Sequence, residues 1–107
     1  MTSTVDVALS GEFSKSYGYV TIDGTKYMSA QTVTVAKGTS VTVLCWGVLS
    51  YEKKRAQITF NGTTVAQGTS DAAAEYTFAA TDNCSIVMKK KLTDDNYYCT
   101  AAITMPV

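Results

Sequence analysis

The sequence has no histidine, one proline, one tryptophan and three cysteines. The missing histidine removes the commonest general base, the commonest zinc ligand and every Ser-His or Cys-His nucleophile pair. Cys45, Cys84 and Cys99 make no Cys-x-x-Cys spacing, so a structural zinc site is not expected. Gly24, Gly38, Gly62 and Gly68 are scattered through turn-like contexts and build no phosphate-cradling loop. Asp94-Asp95 is an adjacent acidic pair, but no regular calcium-loop spacing surrounds it. The chain is therefore expected to be no enzyme and to hold no metal or cofactor.

An excess of one charge is also lacking: nine Lys and Arg offset nine Asp and Glu. Zero net charge gives no global pull towards nucleic acid or anionic membranes. It also weakens repulsion between copies, which is compatible with self-assembly. Nothing reads as a recognition helix or an aromatic RNA-binding signature, so nucleic-acid readout is not expected. No run approaches the ~20 apolar residues of a membrane-spanning helix. The first residues carry neither the basic region nor the apolar stretch of a secretory signal. Synthesis in a cytosol without export by that route is the expectation. Three cysteines are an odd set, expected to be free and mostly buried in a reducing compartment. A Cys45–Cys84 or Cys84–Cys99 bridge is the alternative for a chain that ends up outside a cell.

What is present is strand chemistry. The 107 residues fit one domain, 1–107, and 46% of them are apolar against 17% charged. Apolar residues alternate at Val5/Val7/Leu9, Val20/Ile22, Val33/Val35, Val41/Val43/Cys45, Ile58/Phe60, Tyr76/Phe78, Ile86/Met88 and Ala101/Ile103/Met105. A period of two predicts strands with one face on a core. Asp23-Gly24 and Asn61-Gly62 are two-residue hairpin signals, with further turns at Lys37-Gly38 and Asp82-Asn83. The helix-friendly Asp71–Glu75 is too short to stand alone and reads as a loop or single turn.

Val20-Thr21-Ile22-Asp23-Gly24-Thr25 matches Ile58-Thr59-Phe60-Asn61-Gly62-Thr63, an offset of 38 positions (20 to 58). Each copy continues through a second hairpin strand and two alternating strands. Two such units predict an all-β sandwich of two sheets built from an imperfect internal repeat. Val5–Leu9 and Tyr97–Met105 add a strand at each end of the chain. The expected core is Val20, Ile22, Val33, Val35, Val41, Val43, Ile58, Phe60, Phe78, Ile86 and Met88, with Trp46 covering one end.

The segment from Gly47 to Arg55 joins the two units and does not alternate. It is either a plain surface loop or a contact loop for a partner. On the second reading, Val48, Leu49 and Tyr51 are the contact residues and Lys53, Lys54 and Arg55 form the rim. Six of the nine basic residues lie in two triplets, 53–55 and 89–91, which either share one rim or are separate solvated strand ends. Tyr17 and Tyr19 fall opposite Val20 and Ile22 in simple alternation. Outward tyrosines suit protein interfaces and sugar stacking, or simply pack across strands on a solvated face.

The stretch Tyr19-Val20-Thr21-Ile22-Asp23-Gly24-Thr25-Lys26-Tyr27, then Thr32 to Val43, Ile58 to Ala66 and Glu75 to Ile86, resembles bacterial immunoglobulin-like and internalin-type B-repeat modules. It is also similar to small proteins encoded among the structural genes of tailed phages and prophages of Gram-positive hosts. The resemblance runs from about Tyr19 to Lys90 and carries over no functional residue. It implies an adhesive or structural, Ig-like β-sandwich. A surface-anchored module would bring an export signal and a larger parent chain, and Trp46 directly follows Cys45 where an immunoglobulin core tryptophan would lie between two cysteines. The expectation is a virion structural accessory protein, a capsid decoration or tail component. It would be made in the host cytosol and would dock on phage structural proteins as a homo-oligomer or lattice-bound subunit. A carbohydrate- or host-protein-binding adhesion module is the alternative.

Overall fold

The computed structural model describes residues 3–15, 17–46, 55–68, 72–90 and 97–106. The strands are β1 (Thr4–Gly11), β2 (Gly18–Ile22), β3 (Thr25–Tyr27), β4 (Gln31–Ala36), β5 (Thr39–Cys45), β6 (Arg55–Phe60), β7 (Thr63–Gly68), β8 (Ala74–Ala80), β9 (Cys84–Lys90) and β10 (Tyr97–Thr104). They form a six-stranded sheet, β4-β1-β9-β10-β6-β7, and a four-stranded sheet, β3-β2-β5-β8. The protein is an all-β sandwich, as the alternation requires. Among the described residues no helix is long and apolar enough to cross a membrane.

Both hairpins form where the sequence puts them. Asp23 (φ 50°) and Gly24 (φ 81°) take positive φ, as do Asn61 (φ 49°) and Gly62 (φ 85°). A two-residue turn of this kind needs positive φ at both central positions, which Asp-Gly and Asn-Gly tolerate.

The repeat is visible in the topology. Unit one, β2–β5, keeps its hairpin and its last strand in the four-stranded sheet and sends β4 to the other sheet. Unit two, β6–β9, keeps its hairpin and β9 in the six-stranded sheet and sends β8 across. Each unit thus lends its third strand to its neighbour. In the smaller sheet β2 lies antiparallel to β5 and β5 antiparallel to β8. In the larger sheet β10 is inserted between β6 and β9, and β1 between β9 and β4. β10 runs parallel to β6 and β1 parallel to β9, so the relative directions within the two units are preserved. The outermost strands of the sequence are therefore interior strands of one sheet.

The buried residues form one cluster drawn from both sheets. It includes Val20, Ile22, Val41, Val43, Ile58, Phe78, Ile86 and Met88, as expected, and β1 and β10 add Val5, Val7, Leu9, Cys99, Ala101 and Ile103. Three expected core residues, Val33, Val35 and Phe60, are only partly buried and pack against the cluster. Val33 and Val35 lie on β4, an edge strand whose second neighbour is missing. Trp46 departs further. Cys45 points inward at the end of β5, so the next side chain faces away, and Trp46 lies on the outer face of the smaller sheet instead of over the core.

The sandwich is closed along one side and open along the other. β7 meets β8 through Gly68, where an added Cβ would collide with the backbone of Ala72 to Ala74. The corresponding strands β3 and β4 instead leave a cleft of ≈ 290 Å³, lined by Ile22, Tyr27, Val33, Val35, Thr34 and Thr39 among others.

Candidate functional site

Among the described residues no polar or charged side chain is buried, so their polar groups are confined to the surface. One end of the sandwich gathers aromatic rings and cations. Ser14 and Gly18 exchange both backbone hydrogen bonds, at 2.8 and 2.9 Å, closing a tight loop that presents Tyr17. The Trp46 N–H then donates to the Tyr17 carbonyl at 2.9 Å, extending the β2–β5 ladder by one step.

Tyr19 stands across from Leu44 on the outer face, and its ring meets Trp46 edge to face, with centroids 5.9 Å apart and planes at 75°. Lys26 covers the Tyr19 ring, its Nζ 5.2 Å from the centroid. Such cation–ring contacts are attractive because the ring face is negative. Tyr17 does not follow Tyr19 outward. It precedes β2, so strand alternation does not bind it, and it turns to pack against the core. Lys90, from the opposite sheet, lies over it with Nζ 5.3 Å from the ring centroid.

Val48, Leu49, Tyr51, Lys53 and Lys54 lie outside the described residues. Arg55 opens β6, where its backbone is paired with Tyr97. Of the two basic triplets, Arg55 opens β6 and Lys90 closes β9 at the same end of the larger sheet. Lys90 pairs with Cys99, and Cys99 with Ala56, so Lys90 and Arg55 are at the same end with β10 between them. Lys91 lies outside the described residues. Trp46, which precedes the junction segment, and Arg55, its last residue, both belong to this end, since Cys45 Sγ lies 3.8 Å from the Gln57 carbonyl. The Tyr19–Trp46 pair was not anticipated. Its signal was present: strict alternation through Val41, Val43 and Cys45 puts Trp46 on the Tyr19 face.

Two thiols are perturbed. Burial, with a smaller push from the Asp82 charge, raises Cys84 above the ordinary thiol value. The neighbouring Cys45 thiol, then burial, raises Cys99 as well. Both therefore stay protonated and unreactive near neutrality.

No family model matches the chain, and neither does any curated protein or solved structure.

Proposed function

We propose that this sandwich is a docking protein, a virion accessory subunit of the tailed-phage kind, which binds a particle lattice through the end carrying Tyr17, Tyr19, Trp46 and Lys90. The observation that supports docking is the Tyr19–Trp46 edge contact on an outer sheet face, flanked by Lys26 and leading straight into the junction segment. Aromatic anchors inside a charged rim are what protein interfaces use. The phage assignment rests on the sequence resemblance, and a subunit bound in many copies is consistent with the neutral net charge.

A sugar-binding module is the second reading, because outward aromatic rings on a sheet also stack sugars. Two features weigh against it. The rings are perpendicular and offer no flat platform, and Lys26 already occupies one face of Tyr19. Mass spectrometry of purified particles from the source tests the reading: the chain should be present at fixed stoichiometry. Its absence from particles, together with a specific hit on a glycan array, would overturn it.

A further inference from the structure

Sulfur-bearing side chains meet in the core beside Gly18. Cys99 Sγ lies 3.3 Å from Met88 Sδ. Cys45 ends β5 in one sheet and Cys99 lies on β10 in the other, both at 0% exposure. β5 and β10 come within 8 Å of each other between Cα atoms, closer than the ~10 Å usual for stacked sheets. Gly18 stands opposite Cys45 in the β2–β5 ladder, and a Cβ there would lie 3.0 Å from Cys99 Sγ and 2.8 Å from Met88 Sδ. The absent side chain leaves the Cys99 thiol against the strand position that faces Cys45, so the two cysteines approach each other across Gly18.

The bridges considered from sequence are excluded by the same register. Cys84 opens β9, whereas Cys99 pairs with Lys90 at its far end. At ~3.3 Å per residue the two ends are roughly 20 Å apart, and a disulfide tolerates about 7 Å between Cα atoms.

We propose that Cys45 and Cys99 form a built cross-linking site: with an external disulfide such as oxidised glutathione they close into an inter-sheet bond, and Cys84 remains the single free thiol. One thiolate attacks the external disulfide and releases one glutathione thiol. The other thiolate then displaces the second glutathione from the mixed disulfide. Two protons and two electrons leave the chain, and the external disulfide takes up both. Because both thiols are buried, the exchange occurs during folding or when this end opens. The bond ties the residue before Trp46 to the opposite sheet and so fixes the docking end.

The test is to refold the chain from denaturant with excess oxidised glutathione, beside a sample refolded with dithiothreitol. Expected are one titratable thiol per denatured chain in the first sample and three in the second. A digest should contain a Cys45–Cys99 peptide pair. The oxidised chain should unfold at least about 5 °C higher, because the closed loop is long. The Cys84→Ala variant should give the same pair and no free thiol. Three remaining thiols, a pair involving Cys84, mixed glutathione adducts in place of the pair, or a lowered unfolding temperature would each overturn the proposal.

Discussion

Asn61 and Met105 hold each other by a reciprocal pair of hydrogen bonds. Asn61 Nδ2 donates to the Met105 carbonyl at 2.9 Å, and the Met105 N–H donates to Asn61 Oδ1 at 3.0 Å. The Asn61 N–H also donates to the Ile103 carbonyl at 2.8 Å. The turn residue of the second hairpin is thus also the clamp on the end of β10. Asp suits this turn as well as Asn, but it keeps only the acceptor. Asn61→Asp should therefore cost about 1–3 kcal/mol, because a carboxylate is set against a carbonyl. Asp23→Asn, at the equivalent turn, should stay within about 0.5 kcal/mol. Urea titrations of the two variants measure the difference; equal effects would show that the clamp contributes nothing.

Phe60 and Phe78 differ in depth although the alternation treats them alike. Phe78 is buried, and Phe60 is half-buried, with its ring 5.6 Å from Phe78 and 5.9 Å from Tyr76. Phe78→Ala should destabilise by about 3–5 kcal/mol. Phe60→Ala, which removes less buried surface, should cost about 2–3 kcal/mol on the same scale. Denaturation midpoints in the reverse order would mean that the β6 end is more tightly packed than the β8 centre.

Trp46 is the sole tryptophan, so its fluorescence reports its surroundings directly. On an outer face beside Tyr19 it should be quenched by acrylamide in the folded chain. Trp46→Ala should cost only about 1 kcal/mol, the scale of one aromatic pair, where a core tryptophan would cost about 3–5. Particle or oligomer binding should fall far more than stability does. The Leu49→Asp, Tyr51→Ala double variant tests the adjoining segment: it should fold and fail to assemble. Normal assembly would reduce that segment to a connector.

Stability should decline in alkali. Cys84 and Cys99 have folded values above the ordinary thiol value of 9.0. Above that pH the unfolded chain loses thiol protons that the folded chain keeps, so the folded state binds more protons and stability falls as pH rises. The contribution is intact below pH 9.0 and is lost above it, at up to about 1.4 kcal/mol per pH unit for each thiol. Midpoints measured from pH 8 upward should fall less steeply in Cys84→Ala. A flat profile in the parent chain would show that neither thiol is raised.

Alternation made the strands legible, and the Asp-Gly and Asn-Gly pairs made the hairpins legible, because both signals are local. It assigned faces well: Val20, Ile22, Val41 and Val43 are fully inside. It could not tell how near a strand lies to an edge, which is why Val33 and Val35 were placed too deep. Nor could it show that β4 and β8 change sheets, because a swapped strand alternates like one that stays. Of the candidate site, Tyr17, Tyr19 and the basic triplets stood out as surplus after the core was filled. The contact of Lys90 with Tyr17 did not, since the two meet from opposite sides of the sandwich.

The insertion of β1 and β10 into the middle of one sheet governs the order in which the molecule comes into being. β9 needs β10 on one flank and β1 on the other. β1 finds β9 almost eighty residues later in the chain, pairing Val7 with Cys84. During synthesis the six-stranded sheet stays incomplete until residue 104 has left the ribosome, and neither repeat has a core of its own to fold around meanwhile. Such non-local pairing makes folding slow and leaves strand edges exposed in the interval. A chain ended at Asn96 should lack cooperative unfolding by circular dichroism, and a stable truncated domain would refute this. Neither repeat therefore owns a sheet outright: each of the two sheets is complete only with a strand lent by the other unit.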